Sequence, residues 1–407
     1  MMASLFLPCA GGAEVLLAEE VQRITVKTAE VTRGGVWVDG DERTAMALNL
    51  ESRLAQRVLW PLIDGPYRDE HDLYDLGRRV DWLQWITPQN TLRVDVNAVR
   101  SPLRSLNFAA LRIKDAVCDT LRDATGERPS VDTHHPDLAI ALFVGPEHAT
   151  LYVDTSGEAL FKRGWREHKG EAPLKETLAA AMLAAAGWQG RTEDGPLLDP
   201  CCGAGTIAIE AAQMACGIAA GSQRRFAFEK LLPFKPQLPA WREMQRAAAA
   251  RVHAPRVWVF AGDVSFRMTD FAVRNAELAG VAKAIEFKTV DALQRLPPAG
   301  HESGGTILLN PPYGERIAAK GQGSRPFEEG ARQGFEGGGS SAEFFSGLAG
   351  HWKRHYAGWN AWLLSPDMKL PGLMRLKESR RVPMWNGPIE CRLFRFDMVA
   401  GSNKEGA

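Results

Sequence analysis

Leu197-Leu198-Asp199-Pro200-Cys201-Cys202-Gly203-Ala204-Gly205-Thr206-Ile207-Ala208-Ile209-Glu210 is the stretch whose reading decides the fold. It opens as a short apolar strand that ends at Asp199. Gly203 and Gly205 then permit a sharp turn and a close approach of the backbone to a ligand, because neither carries a Cβ. From Thr206 onward Ile207, Ile209, Ala211 and Ala212 continue as a helix. Its first N–H groups face the turn and suit a polar or anionic ligand. Strand, glycine turn and helix together make the first unit of a nucleotide-type α/β sheet.

Gly203-x-Gly205-x-x-Ala208 also fits the dinucleotide fingerprint, which wants an acid roughly 20 residues further on for the ribose. The next strand-like stretch is residues 257–261, followed by Gly262-Asp263, too far along for a compact βαβ unit. The acid just before the turn, Asp199, belongs instead to the pattern of S-adenosylmethionine enzymes.

Residues 285–290 and 306–309 read as two further strands, ending at Asp291-Ala292 and Asn310. In open α/β sheets ligands bind beyond the carboxyl ends of the strands, so Asp199, Asp263, Asp291 and Asn310 should surround one crevice. Asp263 is placed for ribose hydroxyls and Asp291 for an adenine amino group, with the Gly203 and Gly205 backbone under the ribose and methionine portions. Any single strand-end Asp reads more simply as a helix N-cap; four strand ends in register with a glycine turn do not. The expected cofactor set is Asp199, Pro200, Cys201, Gly203, Gly205, Asp263, Asp291 and Ala292.

Asn310-Pro311-Pro312-Tyr313 carries a second logic. An exocyclic amine is a poor nucleophile, because its lone pair is delocalised into the adjoining π system. The Asn310 side-chain oxygen and the Pro311 carbonyl can accept its two hydrogens and aim the lone pair at a sulfonium methyl. Pro311 and Pro312 fix the backbone so that the acceptors need not reorganise, and Tyr313 offers a flat face for a planar target. Catalysis of this kind is orientation, for which about 7–11 kcal/mol is available in principle.

Length and composition set the frame. At 407 residues the chain has room for two or three domains, and 45% hydrophobic with 24% charged residues is an ordinary globular balance. The formal net charge is zero, so a nucleic-acid partner must rest on local patches. Six cysteines are scattered without a metal-ligand spacing, which suits a reducing compartment and predicts no metal. No window approaches a membrane span and the N-terminus lacks a basic leader, so a cytoplasmic protein is expected.

The first half alternates short elements. Residues 4–7 read as a strand, 13–24 as a helix, 24–31 and 35–38 as strands with a turn at Asp39-Gly40-Asp41, and 44–61 as a helix. A helix over 112–125 and strands near 139–144 and 150–154 complete an α+β region separate from the Rossmann-like sheet. Arg100, Arg104, Arg112 and Lys114 lead along that helix, and Lys162-Arg163-Gly164-Trp165-Arg166 joins the halves. Basic residues interleaved with Trp can grip phosphate and stack a base, which makes Arg112, Lys114, Lys162, Arg163, Trp165 and Arg166 the expected RNA-binding set; a solvated surface is the plainer reading.

Further on, residues 172–188 read as an alanine-rich helix, 221–256 as a polar and aromatic excursion holding Phe226, Phe228, Phe234 and Trp241, and 268–279 as a helix. Residues 321–341 are Gly-rich and read as a mobile loop, 344–356 as a helix and 359–364 as a strand. The chain closes on a hairpin, 380–385 and 390–398, turned at Asn386-Gly387. An antiparallel hairpin finishing a parallel sheet is how the methyltransferase variant of the fold ends.

The pairing of Asp-Pro-x-Cys-Gly-x-Gly-Thr at residues 199–206 with Asn-Pro-Pro-Tyr-Gly-Glu-Arg at 310–316 resembles the amino-methylating class I methyltransferases. Arg128-Pro129-Ser130-Val131-Asp132, Asp154-Thr155-Ser156-Gly157, Lys162-Arg163-Gly164-Trp165-Arg166 and Pro173-Leu174-Lys175-Glu176-Thr177-Leu178 extend the likeness to the THUMP-containing RNA methyltransferases. Within them the chain is most similar to the bacterial branch that makes N2-methylguanosine in large-subunit (23S) ribosomal RNA, over about residues 4–400.

The resemblance implies a ferredoxin-like/THUMP α+β region that docks RNA, then a Rossmann-like class I domain. S-adenosyl-L-methionine is the implied cofactor, and the implied target is a guanine N2 amine turned out of its helix. Expected boundaries are 1–43 for the ferredoxin-like segment, 44–156 for THUMP, 157–190 for a linker and first helix, 191–401 for the methyltransferase and 402–407 for a tail. Some relatives carry a second methyltransferase domain, and the modification it makes is not expected here. Ser265 stands where relatives often have another acid. Transfer RNA, DNA adenine or protein glutamine as substrate, and a non-enzymatic RNA-binding role, are the competing readings.

Overall fold

The computed structural model describes residues 2–168, 173–302, 304–311 and 339–399. In chain order its first elements are β1 (Ala3–Pro8), α1 (Glu14–Thr25), β2 (Glu30–Thr32), β3 (Gly35–Gly40), α2 (Glu42–Glu51), β4 (Leu59–Pro66), α3 (Glu70–Arg78), β5 (Thr91–Ala98), α4 (Leu106–Thr125), β6 (Ser130–Val131), β7 (Leu138–Val144) and β8 (His148–Asp154). Then come α5 (Glu176–Ala186), β9 (Leu197–Asp199), α6 (Thr206–Ala215), α7 (Leu238–Ala250), β10 (Val259–Asp263), α8 (Phe266–Leu278), β11 (Ile285–Thr289) and β12 (Thr306–Leu309). The last are α9 (Gly339–His355), β13 (Asn360–Ser365), α10 (Leu370–Met374), β14 (Arg380–Asn386) and β15 (Ile389–Asp397). They form two compact units, one of residues 1–9, 13–163 and 219–251, the other of 10–12, 164–218 and 252 onward.

The first unit is built on one eight-stranded sheet in the order β2-β3-β1-β4-β8-β7-β5-β6. The expected 1–43 and 44–156 segments therefore share a sheet, joined where Phe6 of β1 pairs with Leu59 of β4. Three local expectations are corrected. The strand expected over 24–31 is helix as far as Thr25, ended by Val26 in the left-handed region, and only Glu30–Thr32 is strand. Asp39-Gly40-Asp41 is not a hairpin turn: β3 runs to Gly40, and Asp41 caps α2 by accepting from the Thr44 amide at 2.9 Å. The helix expected over 44–61 stops at Glu51, because Glu20 accepts from Ser52 Oγ at 2.6 Å and from the Arg53 amide at 2.9 Å and draws the chain aside.

Residues 219–251, which hold the aromatic excursion, belong to the first compact unit. Phe228, Phe234 and Trp241 are buried, and Phe234 meets Trp60 of β4 edge-on at 5.9 Å. Arg224 anchors its start, donating to the carbonyls of Ser156, Glu158, Ala159 and Lys162. Burial lowers its pKa to about 10.

The second unit holds a seven-stranded sheet ordered β11-β10-β9-β12-β13-β15-β14. β11, β10, β9, β12 and β13 are parallel, and β15 and β14 return antiparallel as the expected hairpin, with Gly387 at φ 63° in its turn. Leu198, Ile307, Leu309 and Leu363 are buried with Phe345, Trp352 and Trp359, so the central strands read as continuous apolar runs. The loop expected over 321–341 is helical from Gly339; its residues before that lie outside the described residues. Among the described residues no helix is long and apolar enough to cross a membrane, and no cluster of three His, Cys, Asp or Glu is placed to hold a metal ion.

Candidate active site

Successive strands β9, β10 and β11 step one way across the second sheet, while β12 and β13 step the other way from β9. The order reverses between β9 and β12, and a parallel sheet opens its ligand crevice at such a point, beyond the carboxyl ends of the strands. Asp199 ends β9 and Asn310 follows β12, one on each side of the reversal; Asp263 ends β10 and Asp291 follows β11. The four expected residues thus sit at the same end of four neighbouring strands.

The turn after β9 has the geometry its glycines allow. Gly203 has φ 53° and Gly205 φ 88°. A Cβ on Gly205 would come within 3.0 Å of the Ala272 side chain, so that position needs glycine for space as well as conformation. A Cβ on Gly203 would meet no atom within 4 Å: the turn is open there, as close approach of a ligand requires.

Each of the three acids turns one oxygen back onto the amide two residues ahead. Asp199 accepts from Cys201 at 3.2 Å, Asp263 from Ser265 at 2.9 Å and Asp291 from Leu293 at 2.9 Å. These Asx turns fix the side chains at the strand ends. Asp263 uses its other oxygen on the Gly203 amide at 3.0 Å. Burial pushes the Asp199 carboxyl well above the usual range, with the nearby Asp263 charge adding to it, and burial raises Asp263 as well. A donor-rich ligand would relieve both.

Pro200 and Cys202 are buried and Cys201 is partly so. Burial and the neighbouring Asp199 and Asp263 push both thiols up, so they remain protonated and are not nucleophiles. The Ala292 side chain packs into the apolar core, which leaves only its backbone for a cofactor. Asn310 Oδ1 is buried and has no hydrogen-bond partner. Such an acceptor is costly unless something donates to it. Pro311 is buried beside it; Pro312 and Tyr313 lie outside the described residues.

The expected RNA set fares differently. Arg163 and Trp165 are 2% and 1% exposed, and Arg163 is spent on the Leu160 and Arg53 carbonyls. Arg166 donates to Glu176 and Thr206. A buried indole cannot stack a base, and the Arg163 and Arg166 guanidiniums are turned onto protein acceptors, so the three do not form the expected RNA grip. Arg112 lies over the Tyr74 ring at 4.5 Å, Lys114 pairs with Asp115 at 2.5 Å and exposed Lys162 with Glu158 at 2.5 Å. Arg100 and Arg104 are exposed just before α4, next to exposed Phe108 and Leu111. Asn275, fully buried on α8, escaped the sequence reading, since one Asn in an amphipathic helix gives no signal.

Three family models match the chain: an RlmL ferredoxin-like domain over residues 4–59, a THUMP domain over 67–154 and an RMKL-like methyltransferase domain over 163–395. A ribosomal RNA large subunit methyltransferase K/L of Psychromonas ingrahamii is 34% identical over 96% of this chain and 50% of its own length. The chain spans about half the length of the curated relatives it matches. Among solved structures, a possible methylase from Clostridium difficile 630 superposes with TM-score 0.83 at 26% identity, covering 98% of both chains. SMU.472, solved in complex with SAH, shares the fold at TM-score 0.83 and 24% identity over 97% of this chain and 98% of its own. The glycine turn, the strand-end acids and these matches agree, and the chain belongs to the RMKL-like methyltransferase domain family, joined here to a THUMP domain and an RlmL-type ferredoxin-like domain.

Proposed function

We propose that the chain transfers a methyl group from S-adenosyl-L-methionine to the exocyclic N2 amine of a guanine in large-subunit ribosomal RNA. The observation that carries the reading is the buried, unpartnered Oδ1 of Asn310 beside the order reversal of the sheet. A lone acceptor there matches a target that brings N–H donors and needs its lone pair turned outward.

The residues present fit the cofactor. Open space over Gly203 admits the ribose and methionine portions. Asp199, Asp263 and Asp291 offer acceptors to an ammonium, to ribose hydroxyls and to an adenine amine. The cofactor supplies an electrophilic methyl on a sulfonium. Asn310 Oδ1 and the Pro311 carbonyl would hold the amine by its two hydrogens, so that the nitrogen lone pair leaves conjugation and points along the transfer line. With both cysteines protonated, the site works by orientation rather than through a covalent intermediate.

RNA is favoured over DNA or protein glutamine by the THUMP match at residues 67–154 and by exposed Arg100 and Arg104 within it. A large-subunit rRNA is favoured over tRNA by the named relatives. The test is nucleoside mass spectrometry after incubation with labelled S-adenosylmethionine and unmodified rRNA or tRNA. Label in N2-methylguanosine from rRNA alone is expected. Label from tRNA alone keeps the chemistry and overturns the substrate, and label in another nucleoside overturns the N2 target.

A further inference from the structure

Arg166 has three side-chain nitrogens with different fates. Nε donates to Glu176 Oε1 at 2.7 Å and Nη2 to Thr206 Oγ1 at 2.7 Å. Nη1 is buried and has no hydrogen-bond partner. The side chain is only 10% exposed, so water does not readily make up the loss. Thr206 is the first residue of α6, directly after Gly205, and its bond to Nη2 sets the guanidinium at the N-terminal end of that helix, at the glycine turn.

A second set of bonds fixes the backbone that carries Arg166. Asn275 Nδ2 donates to the His168 carbonyl at 2.9 Å and to the Ala204 carbonyl at 3.1 Å. Its Oδ1 accepts from the amides of Glu167 at 3.3 Å and His168 at 3.1 Å. One buried amide thus ties the 166–168 strap to the middle of the glycine turn. The His168 ring, stacked on Phe271 at 5.2 Å, closes the strap onto α8.

Glu176 and the buried Glu210 beside it are the carboxylates near Arg166, and Nη1 is the one guanidinium nitrogen left with an open donor. Glu176 takes one edge of the guanidinium; burial raises its carboxyl while Arg166 acts to lower it. The free N–H groups and dipole at the start of α6 favour negative charge at the same place. A buried Arg nitrogen without an acceptor costs stability until an acceptor arrives. On the reading that S-adenosylmethionine is the cofactor, we propose that Arg166 Nη1 and the N-terminus of α6 receive the carboxylate of its methionine portion, and that Asn275 positions the strap which holds Arg166 there. Arg166, expected from sequence to grip RNA, is thereby assigned to the cofactor.

The test compares binding of S-adenosylmethionine with binding of decarboxylated S-adenosylmethionine by calorimetry, using the full chain without RNA. The wild-type protein should prefer the carboxylate-bearing ligand by roughly ten- to a hundred-fold, the worth of a charge-assisted hydrogen bond. Arg166→Gln should bring the ratio close to one by weakening the carboxylate-bearing ligand, and Arg166→Lys should keep part of the preference. Asn275→Ala should narrow the ratio as the strap is released. A structural role alone would weaken both ligands equally and leave the ratio standing; that result in folded Arg166→Gln overturns the proposal. Wild-type protein that binds neither ligand overturns the cofactor reading itself, whereas binding without discrimination overturns only the role of Arg166.

Discussion

Asp263 accepts a hydrogen bond from the Gly203 amide at 3.0 Å, so the carboxylate that ends β10 also holds the turn that follows β9. With its other oxygen on the Ser265 amide, the side chain ties the end of β10 to the turn after β9. Ser265 in turn caps α8, its side chain accepting from the Met268 amide.

Asp263→Ala should therefore act on the cofactor twice, by removing an acceptor and by loosening the turn. Affinity for S-adenosylmethionine is expected to fall roughly ten-fold or more, the scale of a hydrogen bond to a charged group. Calorimetric titration checks this, and an unchanged Kd would remove Asp263 from the site.

Asn310→Ala should separate chemistry from binding. Turnover should drop by roughly 10²–10³, as for loss of one preorganised polar contact at a reacting group, while the Kd for cofactor stays near wild type. Because Oδ1 is buried without a partner, its removal also ends a desolvation cost, so the melting temperature should hold or rise. A matching loss of turnover, affinity and thermal stability would make the residue structural.

Asp199 predicts a pH signature. Its carboxyl is raised by burial, so the cofactor-free native state binds the proton more tightly than the unfolded chain, whose Asp titrates near about 3.9. Stability from this group is complete below that pH and is lost as pH rises through the native value. Asp199→Asn should thus gain in melting temperature over wild type as pH increases from about 4, even as it weakens cofactor binding. Equal melting curves at all pH values would contradict the assignment.

Trp165 and Arg104 make opposite predictions about RNA. Trp165→Ala empties a buried site and should cost about 3–5 kcal/mol of stability, whereas Trp165→Phe should leave RNA affinity unchanged. Arg104→Ala, at an exposed position in the THUMP match, should lower RNA affinity and reduce the salt slope by about one. Filter binding across a salt series distinguishes them; a lost affinity in Trp165→Phe would restore that residue to the interface.

Much of the second unit was legible because its signals are local. A strand, two glycines and a helix start occupy ten consecutive residues, 197–206, and the central strands β9 and β12 are short apolar runs closed by Asp199 and Asn310. Where the expectation failed, an unforeseen hydrogen-bond partner decided. Glu20 ends α2 from 32 residues away, and Asp41 looked like a turn residue until its partner Thr44 made it a cap. The excursion after α6 carried the right aromatic residues but gave no sign of the strand, β4, against which they pack.

The sequence by itself determined the parallel sheet, the glycine turn, the strand-end acids and the Asn-Pro-Pro-Tyr motif, since period, turn chemistry and strand ends are set by neighbours in the chain. Only the tertiary structure decided which cations face solvent. Arg163, Trp165 and Arg166 read as an RNA grip because charge and aromaticity are visible in one dimension. In three dimensions Trp165 is buried, while the Arg163 guanidinium is met by the carbonyls of Arg53 and Leu160 and that of Arg166 by the carboxylate of Glu176 and the hydroxyl of Thr206. Burial is a property of the whole packed unit, and a side chain's partners there are chosen by contacts that the order of residues does not display.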